Sequence, residues 1–390
     1  MGSLLPAHLS HLPAPSADAV AHGEQLRSLI ADEIAAAGGW ISFARYMELA
    51  LHAPGLGYYS AGARKLGAGG DFVTAPELGS LFGRTLARQA AQILHAGITD
   101  IIEFGAGSAR LARDLLAELV TLDCPPQRYL ILETSAELRA RQRARLQREL
   151  PQLLARIAWL DALPTSISAL VIGNEVLDAM PVHIVKTREN GIDELGVSAK
   201  SGMFAWGARP ATGPVLAAAS ELKLAPGYTV EVQLAAHAFI RTLAAQLTRG
   251  IALLVDYGFP AREYYHPQRS SGTLMCHYRH HAHHDPLCLT GLQDITAHVD
   301  FSALAHAGVV SGLELLGYTS QARFLINCGI TDVLAATPAD DAAAYLPLAA
   351  QAQKLMSAAE MGELFKVIAL GRNFSAPLLG FARGDKRHTL

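Results

Sequence analysis

The stretch that most constrains this chain is Ile101-Ile102-Glu103-Phe104-Gly105-Ala106-Gly107-Ser108-Ala109-Arg110-Leu111. Bulky Ile101 and Ile102 suit a buried parallel strand. Gly105 and Gly107 permit a sharp turn and leave no side chain between backbone and ligand. Leu111, Leu115, Leu116 and Leu119 then recur at helical spacing. The pattern is strand, glycine turn, helix. The free N–H groups of the helix N-terminus point at whatever sits over the turn.

Two cofactor classes use such a turn. The dinucleotide fingerprint, G-x-G-x-x-G, needs a third glycine for close helix–strand packing, and that position is Arg110. The other pattern is the E/D-x-G-x-G-x-G turn that holds S-adenosylmethionine (SAM). Glu103, Gly105 and Gly107 match it, and Ala109 replaces the third glycine with the next-smallest residue. An acid two residues before the first glycine suits a cationic methionine end, where it can hold a water or the ammonium. It does not suit a phosphate. An ordinary strand–helix turn carries the same local signature without any ligand.

Composition sets the bounds. The chain has 390 residues, 51% apolar and 17% charged, enough to bury a large core with insertions or a second domain. Net charge is −3 and no long basic stripe appears, which argues against a nucleic-acid surface. Cys124, Cys276, Cys288 and Cys328 form no C-x-x-C pair and read as reduced, mostly buried thiols. No apolar run reaches about 18 residues, so no membrane span is expected. Asp18 and Glu24 precede the first arginine, Arg27, which fits neither a secretory signal nor an arginine-rich transit peptide. The expected location is cytoplasmic.

Residues 1 to about 20, rich in Pro, Ala, Ser and His, are expected to be loose. Helices follow over 24–37 and 42–51, then a glycine-rich loop over 65–71. Thr74 and Glu77 form a capping-box pattern, with Pro76 inside the first turn of a long helix to about His95. Strands over 101–104, 129–132, 157–160 and 169–172 alternate with helices. That implies a parallel sheet with ligands at the carboxyl ends of its strands. Thr134 and Glu137 form a second capping box, opening a helix whose arginines read as a solvated face. Short antiparallel strands after Pro181 mark an insertion, and a strand over 251–255 resumes the core. The basic tail is expected to fray. The fold class is α/β. Its segments are a helical cover over 1–75, core over 76–181, a β-rich insertion over 182–226, and core over 227–258. A long loop region over 259–300 and the rest of the core over 301–390 complete it.

Three groups carry candidate chemistry. Glu133, at the end of the second strand, can accept hydrogen bonds from both ribose hydroxyls of a nucleoside, or can merely cap the next helix. Asp161, ending the third strand, can reach an adenine amino group or sit on a surface turn. Asn174-Glu175-Val176-Leu177-Asp178 opens the fourth strand onto the ligand face. Glu175 and Asp178 would share a face on a helical turn. Paired carboxylates can hold a guanidinium fork and take its proton, although helix N-terminal charge is the plainer explanation. His277, His280, His281, His283 and His284 match no common zinc spacing, so no metal is expected.

These blocks occur in order with others. They are Gly70-Asp71-Phe72-Val73-Thr74-Ala75-Pro76-Glu77, Asn174-Glu175-Val176-Leu177-Asp178-Ala179-Met180-Pro181, Asp256-Tyr257-Gly258 and Gly291-Leu292-Gln293-Asp294-Ile295-Thr296-Ala297-His298-Val299-Asp300-Phe301. From about residue 24 to the C-terminus the chain resembles the MidA-type family of SAM-dependent methyltransferases. The resemblance implies a class I, Rossmann-like methyltransferase core with an N-terminal helical cover and an inserted substrate-side region. It implies SAM held by Thr74, Glu77, Glu103, Gly105, Gly107, Glu133, Asp161 and Asn174. Asn174, Glu175 and Asp178 would then be catalytic, and Asp256, Tyr257, Asp294 and His298 would lie on the substrate side. The mitochondrial members are protein arginine methyltransferases that assist complex I assembly, so the implied partner is a protein, a complex I subunit. A small-molecule methyltransferase and a SAM-binding assembly chaperone are the rival functions.

Overall fold

Runs of Ile, Leu and Val that alternate with amphipathic helices can only be buried on both faces of a parallel sheet. In the computed structural model, which describes residues 9–60, 74–200 and 202–390, they are. The loop expected over 65–71 lies outside the described residues. The chain divides into two compact units. One comprises Met1–Phe72, Leu177–Ala238 and Arg262–His298, and the other Val73–Val176, Phe239–Ala261 and Val299–Leu390.

The larger unit is built on one sheet. Its main strands, beside the short Val299–Asp300, are β1 (Asp100–Phe104), β2 (Arg128–Leu132), β3 (Ile157–Leu160), β4 (Ile167–Asn174), β5 (Leu247–Phe259), β6 (Glu314–Ser320) and β7 (Phe365–Arg372). They lie in the order β6-β7-β5-β4-β1-β2-β3, and β7 runs antiparallel to both of its neighbours. The register matters for function. Phe104 pairs with both Leu132 and Gly173, Leu132 with Leu160, and Asn174 with Val255. Gly105, Glu133, Asp161 and Asn174 therefore fall in one row at the carboxyl rim of the sheet, with Glu175 one residue beyond it. Four helices serve that rim: α1 (Ala75–Leu78), α2 (Leu81–His95), α3 (Arg110–Thr121) and α4 (Ala136–Glu149).

The smaller unit holds the helices Ala17–Ala36 and Phe43–His52 and two antiparallel sheets. In the first, Gly191–Lys200 pairs with His183–Arg188, Met203–Pro210 and Ile41–Ser42. In the second, Met275–Tyr278 lies between His281–His283 and Asp294–Thr296, inside the region expected to be a long loop. Thr229–Val232 pairs with His183–Arg188, so the inserted sheet extends past the expected boundary at 226.

Several expectations change. The first helix starts at Ala17 under an Ser16 cap, and Leu9 and Leu12 are buried against Tyr278 and Cys288, so 9–20 is not loose. The helix expected from 75 to 95 breaks at Gly79, where a Cβ would lie 2.1 Å from the Gln351 amide. Gln351 Oε1 in turn accepts from the Leu81 N–H. Thr74 caps α1 in position only, with no side-chain bond. In α4 the capping side chain is Ser135, which accepts from the Leu138 N–H at 3.3 Å, and not Thr134. The C-terminal tail is docked. Phe381 packs edge-on to Phe324, and the Lys386 N–H donates to the Tyr318 carbonyl at 2.6 Å.

Candidate active site

The glycine turn bends as its sequence demands. Gly105, Gly107 and Ala109 all take left-handed backbone, with φ of 63°, 50° and 61°. Ala109 is fully buried there, so the smallest side chain stands where a third glycine is the unstrained choice. Ser108, at the tip, donates to Glu77 Oε1 and accepts from Arg145 Nη1 at 3.1 Å. Arg110 Nη1 donates to the Glu77 carbonyl at 2.9 Å. Glu77 thus braces the turn through Ser108 and Arg110. Arg145 is not simply part of a solvated face.

Glu103 lies beneath the turn, 2% exposed, and accepts from the Tyr129 hydroxyl at 2.8 Å. Burial raises its pKa to about 7, with the Tyr129 bond opposing. Its Oε2 is engaged by Tyr129.

Glu133 is held at both oxygens. Oε1 accepts from the Ser135 N–H at 2.9 Å, and Oε2 accepts from Gln142 Nε2 at 3.2 Å. Asp161 is 91% exposed and pairs with Arg139 at 2.7 Å. Its ion pair lies on the surface.

At the end of β4, Glu175 adopts left-handed backbone, φ 53°, and no helical turn forms between it and Asp178. The cause is local. Its N–H is drawn to the Val255 carbonyl of β5 at 2.9 Å. Its Oε1 accepts from Asn174 Nδ2 at 3.1 Å and from the Ala75 N–H, which opens α1, at 3.4 Å. Asn174 Oδ1 is buried with no hydrogen-bond partner among the described residues. Next in the chain, Val176 lies 3.2 Å from where a Cβ on Gly105 would be, so the β4 end and the glycine turn are in contact.

Asp256 is buried and accepts from the Tyr257 N–H at 2.9 Å, while Tyr257 packs edge-on to Phe365. Asp178, Asp294 and His298 belong to the smaller unit. There the Asp178 carbonyl accepts from the Ala297 N–H at 3.0 Å. Asp294 Oδ1 accepts from the Tyr59 hydroxyl at 2.8 Å, and the His298 N–H donates to Thr273 Oγ1 at 3.1 Å. Among the described residues no group of three or more His, Cys, Asp or Glu could hold a metal ion, and no helix is long and apolar enough to cross a membrane.

The residues of the rim fit SAM. The glycine turn leaves backbone open to a ligand, Glu133 offers two oriented acceptor oxygens, and Asn174 Oδ1 is a buried acceptor awaiting a donor. Sequence inspection missed Tyr129, Gln142 and Ser108. Only Gln142 left a signal, as a polar residue in the Leu138, Gln142, Leu146 stripe of an arginine-rich helix.

Comparison with known proteins agrees with this geometry. A family described as S-adenosyl-L-methionine-dependent methyltransferase matches residues 85–319. A Burkholderia thailandensis protein crystallised with S-adenosyl-homocysteine is 55% identical, with a TM-score of 0.94, over 97% of this chain and 100% of that one. The mouse mitochondrial protein arginine methyltransferase NDUFAF7 is 30% identical over 370 residues, 85% of this chain and 81% of the relative. Its Caenorhabditis elegans homologue is 29% identical over 336 residues, 78% and 76% of the two chains. This chain therefore belongs to the MidA-type family of S-adenosyl-L-methionine-dependent methyltransferases.

Proposed function

We propose that the chain is a protein arginine N-methyltransferase that modifies a subunit of respiratory complex I. The curated relatives named above support the acceptor class, and the family resemblance supports the partner. The observation that carries the reading is Glu175. A non-glycine residue held in left-handed backbone is strained, and such strain concentrates where a side chain must be aimed. Here it aims a carboxylate from the end of β4, beside the glycine turn.

When bound, SAM supplies an electrophilic methyl group. Glu133 takes the ribose hydroxyls, Asn174 Oδ1 takes a donor of the methionine end, and Glu77 keeps the turn in shape. Glu175 holds the acceptor guanidinium. An acceptor nitrogen sheds one proton for each methyl it gains, and the Glu175 carboxylate is the base that receives it. Asp178 enters the proposal on its sequence position as a second acceptor carboxylate. The test is mass spectrometry of complex I subunits from a strain lacking the protein. An arginine should lose its methylation, regain it with the wild-type chain, and not with Glu175→Gln. Unchanged methylarginine in the deletion strain would overturn the assignment.

A further inference from the structure

We infer that Gln142 is a positioning residue for the cofactor, setting the carboxylate that receives its ribose. The inference rests on the proposed role of Glu133. Gln142 is fully buried, in a stripe of α4 where leucine would pack equally well. A buried amide is costly unless its polar atoms are bonded, and here they are. Trp159 Nε1 donates to Gln142 Oε1 at 2.8 Å. Gln142 Nε2 donates to the Gly107 carbonyl at 3.0 Å and to Glu133 Oε2 at 3.2 Å. The indole can only donate, so it fixes which end of the amide is oxygen. Both amide hydrogens must then point at Gly107 and Glu133. Arg143, stacked 4.8 Å from the Trp159 ring, holds the indole in turn.

One side chain thereby ties together the glycine turn after β1, the acid after β2 and a tryptophan of β3. Ser135 fixes the other Glu133 oxygen through its N–H. With one donor on each oxygen, the carboxylate cannot rotate, and each oxygen retains a lone pair for a ribose hydroxyl. The cost of ordering Glu133 is met in the free protein, which is how preorganisation raises affinity.

The test is calorimetric titration of S-adenosylhomocysteine into wild type, Gln142→Leu, Glu133→Gln and the double variant. Each single change should weaken binding about ten-fold, as loss of a hydrogen bond to a charged group does. The double variant should fall well short of the product of the two losses, because Gln142 acts mainly through Glu133. Multiplying losses would overturn the inference and leave Gln142 a packing residue. Trp159→Phe supplies an arm that removes the indole donor while keeping an aromatic ring at that position. It should weaken binding several-fold in the wild-type background and not in Glu133→Gln. Full affinity in Gln142→Leu or Trp159→Phe, with Glu133→Gln impaired, sinks Gln142 alone. Full affinity in Glu133→Gln sinks the ribose assignment itself.

Discussion

The Tyr129 hydroxyl donates to Glu103 Oε2 at 2.8 Å, and Tyr129 is fully buried while Glu103 is 2% exposed. Burial raises the Glu103 pKa from 4.5 to about 7, and one phenol does not offset the desolvation. The folded state therefore binds more protons than the unfolded state between those values. Stability from this group is fully present below pH 4.5 and is lost as pH rises through about 7. Glu103→Gln removes the titration. It should be more stable than wild type at pH 8, by up to about 3 kcal/mol, with the gain shrinking toward pH 5. Urea unfolding at both pH values checks this. An equal difference at the two would show that the carboxyl does not titrate in that range.

At Ala109 three opposing contributions meet. Left-handed backbone costs a non-glycine residue about 1–2 kcal/mol. Its buried methyl returns about 0.8 kcal/mol. Restricting the unfolded chain, relative to glycine, returns about 0.4–1 kcal/mol more. Ala109→Gly should thus leave stability within about 0.8 kcal/mol of wild type, which is why alanine serves at this position. Ala109→Val adds β-branching to the same strained, buried site and should cost more than about 2 kcal/mol. Thermal unfolding of the two variants separates these outcomes. A valine variant as stable as wild type would contradict the left-handed geometry.

The docked tail makes a separate claim. The Phe381 and Phe324 rings lie 5.5 Å apart, and Asn327 Nδ2 donates to the Gly380 carbonyl at 2.8 Å. Phe381→Ala should destabilise the protein by about 3 kcal/mol, as removal of a buried ring does. A frayed tail would give almost no change in the same denaturation experiment.

How far the sequence reached follows the range of the forces involved. Ile101-Ile102 and Leu170-Val171-Ile172 announce parallel strands because burial on both faces needs only local composition. Gly105 and Gly107 announce the turn because only glycine takes that backbone without strain. Contacts between distant residues were not legible. The break at Gly79 is imposed by Gln351, and the tail is held by Phe324 and Asn327. Met275–Tyr278 becomes a strand by pairing with Asp294–Thr296, although the histidines around it carry little strand preference. In the site, Glu133 and Asp161 looked alike as acids ending strands. Gln142 and Ser135 hold the first, whereas the second pairs with Arg139 in solvent.

The last prediction concerns Glu175. Two roles would keep a glutamate there. As a structural brace it accepts from Ala75 and Asn174. As the acceptor carboxylate it binds a guanidinium and takes its proton. The carboxylate's charge separates them, because a brace needs only an acceptor oxygen, whereas a base needs the ionised carboxylate. Glu175→Gly relieves the strain but loses both bonds and loosens the unfolded chain, so it should cost about 1 kcal/mol of stability while methyl transfer collapses. Glu175→Gln keeps an acceptor oxygen for Ala75 and Asn174, so fold and S-adenosylhomocysteine affinity should change little. It lacks the charge and the basicity, so methyl transfer should fall about 100-fold or more. Asp178→Asn, measured alongside, reports whether the second carboxylate matters. The readouts are melting temperature, calorimetric cofactor affinity and methylarginine by mass spectrometry. Full methylation by Glu175→Gln would leave Glu175 a brace and move the acceptor search to Asp294 and His298.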